Sequence, residues 1–371
     1  MTINVLVTGS NGFVGRNLMS VLGQRPGYTA VGFDVSDDQT LLSDLVLSAD
    51  VIVHLAGVNR PPRIEDYQQG NARLTEQVIK VLDDGQRITP IILSSSTQAA
   101  KENAYGLSKR DAENAVFAYG QRTGAHTYVY RLPNLFGKWC RPNYNSAVAT
   151  FCHNIARDLP VEINDPTVEL DLVYIDDLMN EFVRAIDGCA SQDGAYCQVP
   201  VVHKATVQEL VDRIRAFRSI REVLSLPNFE DPLSRKLYST YLANLPEDAF
   251  AYSLKTHTDP RGSFTEFLRT PERGQVSVNI SKPGITKGNH WHHTKTEKFL
   301  VVSGFATICF RKVGTQDVIT YQVSSEKLEV VDIPPGYTHA ITNTGVGDLV
   351  TIMWVNEAYD PNQPDTWFEK V

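Results

Sequence analysis

The sequence predicts an α/β doubly wound parallel sheet over residues 1–245, followed by an all-β barrel over residues 252–371. Three observations carry this. Short apolar strands alternate with helical periods through the first half, the pattern of a parallel sheet with helices on both faces. A glycine-rich loop, TGSNGFVG (8–15), joins the first strand to the first helix. Near KLYSTYLANLPEDAFAYSL (236–254) the texture changes, and beyond it strand patterns and turn residues dominate with no long helical period.

A chain of 371 residues with 42% hydrophobic content can build two cores. Its net charge is −8, with no basic run or arginine stripe, which argues against nucleic acid as a partner. Five scattered cysteines form no CxxC pair; they suggest neither a disulfide framework nor a thiolate metal site, and fit a reducing cytoplasm. No apolar run is long enough to span a membrane.

In the first half, strand INVLVTG (3–9) runs into Gly9-x-x-Gly12-x-x-Gly15 and helix GRNLMSVL (15–22). Glycines there let the backbone turn tightly and approach a pyrophosphate resting on the helix N-terminus. AVGFDV (30–35) places Asp34 where a carboxylate can bind both ribose hydroxyls of a dinucleotide. Strand DVIVHLAG (50–57) and helix LTEQVIKVLDD (74–84) follow, then PIILSSS (90–96), a strand ending in hydroxyls. In AYGLSKRDAE, Tyr105 and Lys109 stand four apart on a helix and share a face. A lysine beside a tyrosine lowers the phenol's pKa, so the tyrosine can give a proton to a carbonyl being reduced. HTYVYRL (126–132) adds a fifth strand.

With HLAG (54–57), GNARLTEQV (70–78), YRLPNLFG (130–137) and VYIDDL (173–178), these motifs resemble, in order, the extended short-chain dehydrogenase/reductases, Rossmann-like enzymes acting largely on nucleotide sugars. The resemblance implies Ser96 as the catalytic hydroxyl, with Ser95 its immediate rival, Tyr105 as proton donor and Lys109 on the nicotinamide ribose. It places Phe13, Val14, Leu55, Ala56 and Gly57 along the cofactor, and Asn134 and Arg131 near the substrate.

The second half reads as strands QVSVNIS, EKFLVVSG, ATICFRK, LEVVDIPPG and LVTIMWV. His290-x-His292 puts two imidazoles on one strand face. Glu297 opens the next strand, and His339 lies in PPGYTHAITN. Two histidines, a glutamate and a distant histidine make a ligand set for Zn²⁺, with Fe²⁺, Mn²⁺ or Ni²⁺ equally tolerated. The spacing Gly284-(x5)-His290-x-His292-(x4)-Glu297-(x6)-Gly304, with Pro334-x-Gly336-xx-His339-xxx-Asn343, resembles the two cupin motifs; Leu328 replaces an expected glycine. DPRGSFTEF, SKPGITKGNHWH and NEAYDPNQPD resemble nucleotide-sugar 3,5-epimerases, which implies a base at His290 and a proton donor at Tyr359. A metal-bound His290 cannot also be a free base, so Lys287 and Tyr359 remain the candidates.

A ketone acidifies its neighbouring C–H, and reducing the ketone removes that acidity. The barrel therefore acts first and the reductase second. Taken end to end, the chain resembles the bifunctional enzymes of capsular polysaccharide synthesis. That implies a homodimer with a zinc-bound cupin. It also implies a UDP-linked 4-keto-6-deoxy-amino sugar, epimerised at C3 and then reduced at C4 with NADPH. Asp34 would repel the 2′-phosphate of NADPH, and only Arg16 stands near to offset it. Residue chemistry favours NADH, the resemblance NADPH.

Overall fold

The structure is a computed structural model describing residues 2–270, 272–358, 360, 362 and 364–371. The chain divides into two compact units, Met1–Arg215 with Asp231–Pro246, and Ala216–Glu230 with Glu247–Val371. Residues 216–230 thus join the second unit ahead of the change in texture. The Arg269 N–H donates to Leu224 O, a tie that no local pattern announces.

In the first unit β1 (Ile3–Thr8), β2 (Tyr28–Phe33), β3 (Val51–His54), β4 (Ile91–Ser96) and β5 (Thr127–Leu132) are parallel. With β8 (Gln192–Asp193) and β9 (Tyr196–Cys197) the order is β2-β1-β3-β4-β5-β9-β8. A smaller sheet holds β6 (Asn134–Phe136), β7 (Glu169–Tyr174) and β10 (His203–Thr206). Alternation along β1 explains the double winding. Val5 and Val7 pack into one core with Leu18 of α1 (Phe13–Gly23) and Phe182 of α7 (Ile175–Ile186). Leu6 packs into the other, with Leu82 of α4 (Leu74–Asp84) and Val116 of α5 (Ala104–Thr123). Strand order reverses between β1 and β3, and in such sheets the ligand crevice opens at the carboxyl ends beside that switch.

Two glycines shape this crevice. Gly9 holds φ +70°, and a Cβ on Gly15 would lie 2.2 Å from Gly9 O, so the loop closes onto α1 only without a side chain there. β3 stops at His54, short of the Gly57 expected, because the Ala56 N–H turns back to Thr8 Oγ1. α5 starts at Asn103, whose side chain accepts the Gly106 N–H at 2.8 Å, and ends at Gly124 in the left-handed region.

The strands of the second unit are all antiparallel. One sheet has the order β11 (Thr256–Asp259), β12 (Gly262–Thr270), β13 (Gly274–Ser281), β20 (Leu349–Val355), β15 (Glu297–Ser303), β18 (Val330–Ile333). The other runs β17 (Val318–Ser324), β16 (Phe305–Lys312), β19 (Tyr337–Asn343), β14 (Thr286–Trp291), β21 (Trp367–Phe368). Phe299, Val301, Ile308, Phe310 and Ile341 from both sheets share one core. Where the sequence suggested a barrel, the described strands form two facing sheets with open edges. At β14 the pairing with β19 is interrupted by a bulge between Gly288 and His290, with Asn289 at φ 59°.

Candidate active site and metal centre

A cleft of about 980 Å³ opens at the carboxyl ends of the parallel strands in the first unit. Gly9, Gly12, Phe13, Val14 and Gly15 line one side of it. Leu55, Gly57, Ser96, Tyr105, Lys109 and Asn134 complete the wall. Ser96 at the end of β4 and Tyr105 on α5 face each other across this wall, near enough for the serine to influence the phenol. Burial raises the Tyr105 phenol above its ordinary value against the opposing pull of Ser96, which keeps it protonated at neutral pH, as a proton donor requires. Lys109 is buried, its Nζ 3.1 Å from Ser94 O; burial pulls its pKa down to about 8, against the pull of Glu113. Ketone reduction is therefore expected to slow as pH rises through about 8 and Lys109 loses its proton. A kcat profile flat from neutral pH to well above 8 would refute this role for Lys109.

Three expected residues lie off the cleft wall. Ala56 supports the glycine loop from behind, in contact range of Gly9. Asp34, just past β2, accepts the Asn11 and Val35 N–H groups at 2.8 Å each, bracing the loop. Arg131, expected near the substrate, does not line this cleft. Its Nη2 lies 2.6 Å from Oε2 of Glu113, whose side chain is 1% exposed, and its guanidinium sits over the Tyr196 ring.

Glu113 went unnoticed in the sequence because a glutamate one turn after Lys109 looks like a solvated helix face. Its second oxygen accepts the Ser95 hydroxyl. Neighbouring residues on a strand point to opposite faces. Ser95 thus faces α5 and Ser96 the cleft, which separates the two rival hydroxyls. Two further residues gain a role only from the structure. Asn71, on a π-helical turn (Gln68–Arg73), bonds Val58 N–H, Val58 O and Ser108, and Tyr67 sets its ring 5.6 Å from that of Tyr105.

In the second unit His290, His292, Glu297 and His339 each offer a ligand atom within 4.8 Å of the others. His290 stands directly opposite His339 in the β14–β19 register, while Glu297 reaches across from the facing sheet. Oε2 of Glu297 lies 3.2 Å from His339 Nε2 and 3.5 Å from His292 Nε2. Neither contact is an aligned hydrogen bond. Those three atoms and His339 Nδ1 are buried without a hydrogen-bond partner, and an orphaned set of this kind fits a cation. Burial, reinforced by His339, holds His290 down at about 4, so its lone pair is free at neutral pH. Burial opposes ionisation of Glu297, but the facing imidazoles outweigh it and set its carboxyl at about 2. His293 turns outward between Trp291 and Trp367. Lys287 Nζ donates to Asn279 Oδ1 at 2.7 Å and Ile280 O at 2.9 Å. Tyr359 lies outside the described residues.

Comparison with known proteins follows this division. Residues 5–196 match the NAD dependent epimerase/dehydratase family, and residues 257–367 the polysaccharide biosynthesis C-terminal domain. A UDP-2-acetamido-2,6-beta-L-arabino-hexul-4-ose reductase of Pseudomonas aeruginosa is 46% identical over 98% of both chains. The spore coat polysaccharide biosynthesis protein SpsL of Bacillus subtilis is 29% identical over 30% of this chain and 81% of its own. The crystal structure of the capsular polysaccharide assembling protein CapF from Staphylococcus aureus superposes with a TM-score of 0.94 and 49% identity, over 100% of both chains. A glycine-loop cleft on a parallel sheet, a two-sheet partner unit and full-length similarity thus lead to one conclusion: the chain belongs to the NAD dependent epimerase/dehydratase family, in its CapF branch.

Proposed function

We propose that the second unit, a metal-binding cupin, epimerises C3 of UDP-2-acetamido-2,6-dideoxy-β-L-arabino-hexos-4-ulose. The first unit then reduces the C4 ketone to UDP-2-acetamido-2,6-dideoxy-L-talose, on the route to UDP-N-acetyl-L-fucosamine for surface polysaccharide. The observation that carries the two-step reading is the four-residue cluster, three of whose members keep buried polar atoms without a hydrogen-bond partner.

The glycine loop cradles a nicotinamide cofactor, which when bound supplies the hydride. Ser96 hydrogen-bonds the C4 oxygen, Tyr105 gives that oxygen its proton, and Lys109 holds positive charge beside the phenol. NADPH is ranked ahead of NADH because Arg16 lines the mouth of the loop and the Asp34 carboxylate is engaged by backbone N–H groups. In the second unit His290, His292, Glu297 and His339 would hold a divalent cation, Zn²⁺ foremost, which when bound stabilises negative charge beside the ketone. Lys287, its pKa lowered by burial, and Tyr359 are the groups proposed to move the C3 proton. The enzyme is proposed to work in the cytoplasm as a homodimer.

The name of the Pseudomonas relative, which matches along both units, mentions only reduction. That favours a second reading, a single-activity reductase whose cation centre holds a dimer. Incubating the 4-keto sugar nucleotide in D₂O without nicotinamide separates the two. Deuterium is expected at C3 by NMR, and none with folded His339→Ala. No incorporation by folded, metal-loaded wild-type protein would leave only the reductase.

A further inference from the structure

The segment that follows β20 returns to the cation centre. β21 pairs with β14, setting Phe368 opposite His290 and Trp367 opposite Trp291. Asp365, immediately before it, has φ 34°, a backbone region that favours glycine. Its Oδ2 accepts the Thr294 and Lys295 N–H groups at 2.9 and 3.1 Å and the Thr294 hydroxyl at 3.0 Å. Its Oδ1 accepts the His293 N–H at 3.0 Å. One carboxylate thus gathers three consecutive backbone donors directly after His292. In that pose its own carbonyl oxygen lies 2.6 Å from His292 Nδ1. A carbonyl only accepts, so Nδ1 carries the proton and the lone pair is on Nε2, the atom facing Glu297.

We propose that Asp365 is a positioning residue of the cation centre, its carboxylate anchoring the loop so that its carbonyl fixes the tautomer and ring orientation of His292. This rests on the reading of the four-residue cluster as a cation site. The carbonyl belongs to every residue type, so the specificity resides in the carboxylate that compensates for the unfavourable φ. Partners of this kind on metal-bound histidines typically account for about 10–100-fold in affinity.

The test is Zn²⁺ binding to full-length, metal-free protein in competition with a chromophoric chelator, beside thermal unfolding without metal. Asp365→Ala is expected to bind about 10–100-fold more weakly than wild type at unchanged stoichiometry. Asp365→Asn, which keeps one acceptor oxygen, is expected to fall between them. In ¹⁵N spectra of metal-free protein, the His292 Nδ1–H signature is expected in wild type and lost in Asp365→Ala. If the alanine variant does not fold, the asparagine variant decides by the same two readouts. Wild-type affinity and an intact Nδ1–H signature in the folded variant would overturn the proposal. Failure of wild type itself to take up one Zn²⁺ per chain would instead overturn the cation reading beneath it.

Discussion

Tyr105→Phe is expected to lower kcat for ketone reduction by about 10²–10⁴-fold, the range for losing a positioned general acid. The phenyl ring preserves the contact with Tyr67, so fold and cleft shape should survive. What disappears is the phenolic proton beside Ser96, retained by burial. Nicotinamide affinity should change little, because the glycine loop and Lys109 are untouched. Deuterium exchange at C3 should persist, since that step is assigned to the other unit. Single-turnover reduction, cofactor fluorescence titration and the D₂O assay measure the three quantities on one preparation. A variant that reduces within threefold of wild type would move the donor role elsewhere.

Glu113→Gln is expected to destabilise the first unit by about 3 kcal/mol, the lower end for breaking a buried ion pair, because the Arg131 side chain keeps 28% exposure. For a unit of this size that corresponds to a melting temperature lower by roughly 6–12 °C. The cost arises from leaving a guanidinium uncompensated rather than from losing an attraction. Glu113→Gln with Arg131→Leu should therefore recover most of the loss. Calorimetry of both variants checks the sign, and a double variant no more stable than the single one would contradict the account. The same substitution loosens Ser95, and through the strand Ser96, so reduction by the single variant should fall even below its melting transition.

What was legible in the sequence lies in local spacing. The glycine loop, the Tyr105–Lys109 pair and the His290–His292–Glu297 run occupy a few turns of chain each, and helical and strand periods place their side chains directly. What was not legible depends on partners distant in sequence. Nothing near Arg131 in the sequence shows that Glu113, 18 positions away, takes its Nε and Nη2. Asp365 carries no signal of its own in the sequence, because its partner His292 lies 73 positions away. Strand ends were overrun for a related reason: Leu55–Gly57 continues the apolar texture of β3, but Thr8 captures the Ala56 N–H and ends the ladder.

The bulge at Asn289 bears on how such a centre can be inherited. In a regular strand, Lys287 and His290 stand an odd number of residues apart and face opposite ways. The additional residue lets Lys287 reach the buried Asn279 while His290 meets His339. Parity is thus a property of chain length and not of any side chain. Loss of the additional residue would leave Gly288 opposite Ala340 and His290 opposite His339, whereas one more inserted residue would turn His290 away from Glu297 with every ligand retained. A further insertion, more than a substitution, is the change this strand cannot absorb.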